Sequence, residues 1–210
     1  MKILAVSDTV VDRLYSPNVG EYFRDVDLVL GCGDLPYEYL EFLVSSFNVP
    51  LLYIPGNHDP QNDEKNPAAR AEGCENLDRR VRQVKGLTVA GLGGSIRYQP
   101  GRANQYSQAE MYWRTFSFLP ALLWHRLRCG VLDLMIAHSP PRGIHDDDDL
   151  PHHGFSAFPG LLRIARPRYF LHGHTLVYKG NLVPSVTQFE ATTIINVYPC
   201  RLIEVDAHVR

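Results

Sequence analysis

Leu51-Leu52-Tyr53-Ile54-Pro55-Gly56-Asn57-His58-Asp59 is the stretch on which the fold turns. An apolar run gives way across one proline to a block of glycine, amide, imidazole and carboxylate. So short and apolar a run suits a strand buried on both faces, with the polar block as the loop at its carboxyl end. The same join recurs along the chain. Residues 3–6 run into Ser7-Asp8-Thr9-Val10, and residues 27–30 into Gly33-Asp34. Residues 132–137 run into His138-Ser139-Pro140-Pro141, and residues 169–171 into His172-Gly173-His174-Thr175-Leu176. Further strand-like runs lie at 88–92, 177–178, 192–197 and 202–205, with helix-like segments at 36–47 and 158–165. The alternation predicts an α/β fold, and the strand-rich closing third predicts a second sheet packed on the first. Polar blocks at strand carboxyl ends place ligand chemistry at one sheet edge.

The bulk numbers fit this picture. A chain of 210 residues suits one domain spanning 1–210, and 45 % hydrophobic with 21 % charged residues is ordinary globular composition. The net charge of −2 comes without a basic stretch, so no electrostatic footprint for nucleic acid is visible. No apolar stretch approaches the ~20 residues of a membrane span. The strand-like opening residues leave no room for a signal peptide, and the four cysteines are widely separated without a Cys-x-x-Cys pair. A reducing cytoplasm is the expected compartment.

Two stretches break the rhythm. Residues 60–86 are charged and rich in turn formers, which predicts a surface excursion with Arg79, Arg80, Arg82 and Lys85 on a solvated face. Residues 107–128 read as helix, with Tyr112, Phe116, Leu119, Leu123 and Leu127 spaced by three and four. Pro120 is expected to break it or to start a second helix. The stripe reads as core, with a hydrophobic lid or a dimer face as the alternatives. Gly91-Leu92-Gly93-Gly94 follows a strand but opens no helix, so it reads as a tight turn, with Ser95, Arg97 and Tyr98 as candidate substrate contacts.

Taken in order, the five polar blocks resemble the calcineurin-like metallophosphoesterase superfamily. That pattern is Asp-x-His, Gly-Asp, Gly-Asn-His-Asp/Glu, a lone His, then Gly-His-x-His, and the match runs from Asp8 to His174. The resemblance implies a β-sandwich of two mixed sheets flanked by helices, four layers deep, with a metal site at the strands' carboxyl ends. It also implies a metal-dependent phosphoesterase hydrolysing phosphodiesters or small phosphomonoesters. Such chemistry uses two cations roughly 3.5–4 Å apart, which acidify water and neutralise the phosphoryl oxygens. Carried over by position, Asp34, Asn57, His138 and His174 hold one cation. The other keeps only Asp8 and Asp34, because Val10 and Leu176 stand where the pattern has histidine. One site is thus intact, and the second ion is weak or absent. Mixed imidazole and oxygen donors suit Mn, Fe or Zn.

The resemblance further implies that His58 contacts phosphate and protonates the leaving oxygen, a role suited to a near-neutral pKa. Asp59 reads as a loop or cap group. Replacement ligands are sought in residues 143–155, which carry His145, Asp146 to Asp149, His152 and His153. His153 is the leading candidate there for a substrate or auxiliary metal contact, against the reading of the loop as hydrated surface. His172 belongs at a strand end, where packing or a backbone hydrogen bond explains it unless the strand is displaced towards the site. A small phosphoester is the implied partner, and the oligomeric state stays open. The rival reading is a catalytically weak or inactive relative that kept the fold as a binding or scaffold protein.

Overall fold

A computed structural model describes residues 1–60, 69–176 and 184–206. The chain runs through β1 (Lys2–Val6), α1 (Val19–Tyr22), β2 (Leu28–Gly31), α2 (Tyr37–Phe47) and β3 (Leu51–Tyr53). It continues through β4 (Glu75–Asn76), β5 (Val81–Val84), β6 (Leu87–Leu92), β7 (Ser95–Ile96) and β8 (Gln105–Tyr106). Next come α3 (Gln108–Cys129), β9 (Leu134–Ala137), a 3₁₀ turn at Leu150–His152 and α4 (Ala157–Ala165). Strands β10 (Tyr169–His172), β11 (Val186–Phe189), β12 (Thr192–Asn196) and β13 (Cys200–Glu204) close the fold. The expected strand at 177–178 lies outside the described residues.

Two mixed sheets carry the architecture. The first is ordered β13-β1-β2-β3-β4 and the second β11-β12-β10-β9-β6-β5. Within each, the central strands are parallel, and antiparallel strands sit at the edges: β13 in one, β5 and β11 in the other. Parallel pairing explains the continuous apolar runs, since both faces of these strands are covered. Alternate residues of β1 point opposite ways. Ile3 and Ala5 join Leu28, Leu30, Val89, Leu134, Ile136 and Leu171 between the sheets. Leu4 and Val6 instead pack outward with Tyr39, Leu40 and Leu43 of α2. The outer face of the second sheet is covered by Met111, Phe118 and Leu122 of α3 and by Phe158, Leu161 and Leu162 of α4. Burying each such aliphatic or aromatic side chain stabilises by about 1.5–3 kcal/mol. The result is the four-layer α/β/β/α sandwich.

Three local expectations are corrected. Pro120 neither breaks nor restarts α3, which is one 22-residue helix capped by the Ser107–Glu110 capping box. The carbonyl that proline leaves without an N–H partner belongs to Phe116, a solvent-exposed residue, where water can serve instead. Of the expected stripe only Leu119 packs against the core; Tyr112, Phe116, Leu123 and Leu127 are exposed, and the buried face is Met111, Thr115, Phe118 and Leu122. The described part of 60–86 is more than an excursion. It supplies β4 and β5, and Lys85 (φ 47°) and Gly86 (φ 83°) make the tight turn joining β5 to β6. Arg79, Arg80, Arg82 and Lys85 are exposed there.

Candidate metal centre

Loops from both sheets converge at the strands' carboxyl ends. Asp8 follows β1, Asp34 follows β2 and Asn57 follows β3, while His138 leaves β9 and His174 leaves β10. Asp8, Asp34 and His174 all hold left-handed backbone, with φ of 62°, 55° and 65°. Such a conformation costs a non-glycine residue about 1 kcal/mol or more and turns the side chain sharply off the strand. The preceding glycines allow the approach. A Cβ on Gly173 would collide with Ser7 Oγ, and one on Gly33, itself at φ 91°, would run into His138 Nδ1.

The donor atoms of Asp8, Asp34, His138 and His174 all lie within 4.8 Å of one another. Carbonyl groups fix which imidazole nitrogen faces inward, because a carbonyl can only accept. His138 donates from Nδ1 to the Cys32 carbonyl at 2.9 Å, which leaves Nε2 facing Asn57 Oδ1 at 3.1 Å and Asp34 Oδ2 at 3.3 Å. His174 donates from Nε2 to the Pro151 carbonyl at 2.7 Å, so its Nδ1 lone pair is the free one. Its backbone N–H donates to Asp8 Oδ2 at 2.9 Å.

The electrostatics ask for a cation. Burial opposes a charge on His138, but the carboxylates of Asp34 and Asp8 overcome it and lift the imidazole to about 10. Burial likewise opposes ionised Asp34, yet His138 holds that carboxyl down at about 2. Burial, followed by repulsion from His138, pushes His174 down to about 3, keeping it a neutral donor. Burial raises Asp8. Two half-buried carboxylates and two buried, oriented imidazoles fit a divalent ion.

Asp59 serves the loops beneath. Its Oδ2 accepts the N–H groups of Asp34 and Gly56, both at 2.8 Å, and its Oδ1 accepts that of Leu35 at 3.1 Å. Burial and the nearby Asp34 push its carboxyl up to about 6. Tyr98 adds an unforeseen contact. Its hydroxyl accepts from Asn57 Nδ2 at 3.1 Å, which turns Oδ1 of that amide towards His138 and the centre.

A cavity of about 330 Å³ opens over the cluster, walled by Asp8, Asp34, Asn57 and His174 together with His58, Tyr98, Pro151, His152 and Leu176. The His58 side chain is 75 % exposed, with Nε2 4.0 Å from Asp34 Oδ2. Its backbone N–H donates to Asp34 Oδ1 at 2.7 Å, tying the two loops together. The two positions without histidine differ from each other. Leu176 lines the cavity, whereas Val10 packs against the apolar cluster under α2.

The remaining candidate histidines fall elsewhere. His153 turns to the Asp148 carbonyl at 2.7 Å, and it is His152 that walls the cavity, its ring 5.2 Å from that of His174. The 3₁₀ turn at Leu150–His152 decides between these neighbours, and nothing in their spacing signals it. His172 is fully buried and does not line the cavity. It contacts the Gly173 carbonyl at 3.0 Å and His145 at 2.9 Å, and His145 reaches Thr187 Oγ1 at 2.8 Å. Asp146 holds the loop itself, accepting the N–H groups of Gly143 and Gly154.

A family model described as calcineurin-like phosphoesterase matches residues 1–178. The chain belongs to the calcineurin-like phosphoesterase family. An uncharacterized protein of Methanocaldococcus jannaschii, MJ1162, is 26 % identical over 149 residues, which are 67 % of this chain and 62 % of that protein's length. The match therefore spans less than two thirds of that relative. The crystal structure of TT1561 of Thermus thermophilus superposes with a TM-score of 0.61 at 16 % identity, covering 93 % of this chain and 88 % of that one. That likeness shows a shared fold. Vps29 from Entamoeba histolytica, a single mutant, aligns over 99 % of this chain and 87 % of its own at 12 % identity, with a TM-score of 0.47. Among the described residues, no helix is long and apolar enough to cross a membrane.

Proposed function

We propose that this phosphoesterase-family chain is a working metal-dependent hydrolase of phosphodiesters or small phosphomonoesters, with one well-furnished cation site and one depleted site. The observation that carries this reading is the exposed His58 beside a cavity over a cluster of metal donors, two half-buried carboxylates and two buried imidazoles. Asp34, Asn57, His138 and His174 would hold the first ion, with Asp8 beside them. A bound Mn, Fe or Zn ion would neutralise and polarise the phosphoryl group. The chain's own residues supply the rest. His58 stands free to give a proton to the leaving oxygen, while its backbone is tied to the ligand Asp34. A depression sharing Asn57, His58 and Tyr98 with the cavity continues to Gln99 and Arg102. That cation suits a further negative charge on the substrate or its leaving group. Depletion of the other site rests on Leu176, an apolar wall where a further donor would face the substrate. The proposed setting is cytoplasmic, with a small phosphoester rather than nucleic acid as partner.

Leu176 is also the observation that favours a second reading, a family member retained for binding. One assay separates them. Purified protein with added Mn²⁺ is expected to hydrolyse generic mono- or diesters, and His58→Ala to slow turnover by roughly 10²- to 10⁴-fold with unchanged metal content. No hydrolysis by the metal-loaded wild type, or equal rates in His58→Ala, would refute the catalytic reading.

A further inference from the structure

Helix α3 is apolar on two sides. Its inner side packs on the second sheet, while Tyr112, Trp113, Phe116, Leu123, Trp124 and Leu127 stand in solvent at 42–80 % exposure. Surface helices ordinarily carry charge there. Positions 113, 116, 120, 123 and 127 recur by three and four residues, the spacing of a helix–helix seam. Scaled by these exposures, at about 150–250 Å² per large side chain, these six residues expose roughly 550–900 Å² of largely apolar surface. That exceeds the scattered patches of most monomers and is close to the ~800 Å² per partner of a stable protein interface.

The charges argue against a lipid surface as the occupant. A helix lying on a membrane flanks its apolar face with free lysine and arginine. Helix α3 has no lysine, and its arginines are engaged. Arg114 pairs with Asp78 at 2.7 Å and lies over the Tyr106 ring, Arg126 donates to the Ile164 carbonyl at 2.9 Å, and Arg128 lies over Trp124.

We propose that this face pairs with the same face of a second copy of the chain, making a two-fold dimer. A two-fold contact requires a surface that complements itself. With the helices antiparallel about Pro120, the Trp113 and Phe116 end of one copy meets the Leu123 and Leu127 end of the other. Bulky aromatic and slimmer aliphatic side chains then interleave, and the helix dipoles oppose. The pairing removes two tryptophans from water in each copy.

Sedimentation velocity on the full 210-residue chain, from about 1 to 100 µM, tests this over the range where weaker standard-size interfaces dissociate. The expected species has twice the 23.8 kDa chain mass. Phe116→Glu and Leu127→Glu, made separately, should each weaken the dimer at least about thirtyfold. Helical circular dichroism should be unchanged, because both side chains are exposed in the monomer. Pro120→Cys, at the midpoint of the seam, should form an intermolecular disulfide under mild oxidation, while Tyr22→Cys, exposed on α1, should not. That cross-link does not depend on how the glutamate variants fold. A wild type that stays monomeric throughout, or a dimer indifferent to both glutamates, would overturn the proposal. So would a monomer that floats with phosphatidylcholine vesicles, which would assign the face to lipid.

Discussion

Replacing Asp59 by asparagine keeps the size of the side chain but changes what it can accept. The carboxylate takes three backbone N–H groups, two on Oδ2 and one on Oδ1. An amide can offer its oxygen to Asp34 and Gly56, but its NH₂ then confronts the N–H of Leu35. An orphaned buried donor costs about 1–3 kcal/mol, and the two surviving bonds each lose the extra strength that an ionised acceptor gives. Relief of a buried charge offsets part of this, leaving a net loss of about 2–3 kcal/mol. The loss has a functional address, because the donors belong to the loops that present Asp34 and Asn57. Urea unfolding of chelator-treated protein measures the stability change, and calorimetric titration with Mn²⁺ should show about tenfold weaker binding. If Asp59→Asn unfolds within about 0.5 kcal/mol of wild type and binds Mn²⁺ equally well, Asp59 is not the tie described.

Tyr98→Phe removes the acceptor that orients the Asn57 amide, and should lower Mn²⁺ affinity about tenfold with little change in melting temperature, read by titration and thermal unfolding. Elemental analysis of wild type should find about one tightly held metal per chain, since a second ion has few donors beyond Asp8 and Asp34. Leu176→His should raise metal content at high Mn²⁺ because that side chain faces the cavity; Val10→His alone should not, and should lower the melting temperature by putting an imidazole into apolar packing. Hydrogen bonding to the Ser107 backbone N–H, and then to Arg97, holds Glu110 down at about 2. Its contribution is therefore present above the ordinary pKa of 4.5 and lost as pH falls towards 2, so Glu110→Gln should flatten that limb of a pH series of melting temperatures.

The central strands were legible because a strand covered on both faces leaves a continuous apolar run with loop residues at its end, as in β1 and β3. The clustering of Asp8, Asp34, Asn57, His138 and His174 followed from those loops sharing one edge. Short, half-polar strands such as β4, β7 and β8 leave no such run, since their pairing depends on neighbours distant in sequence. Helix α3 misled for a different reason. Met111, Phe118 and Leu122 repeat at helical spacing, but so do Tyr112, Phe116, Leu123 and Leu127, and periodicity cannot rank two apolar faces. Tyr98 met Asn57 only through tertiary contact, since the two stand 41 positions apart in the chain.

The donors at the centre are divided between the two halves of the sandwich: Asp8, Asp34 and Asn57 leave the first sheet, His138 and His174 the second. An ion gripping both sets would act as a clasp across the open rim of the sandwich, and its binding energy would be shared with folding. At a free ion concentration of a hundred times Kd the clasp is worth about 2.7 kcal/mol, a sizeable share of what holds a domain of this size together. Metal supply and the lifetime of the folded chain would then be linked, so that scarcity of the ion thins the protein's population even where no substrate is present.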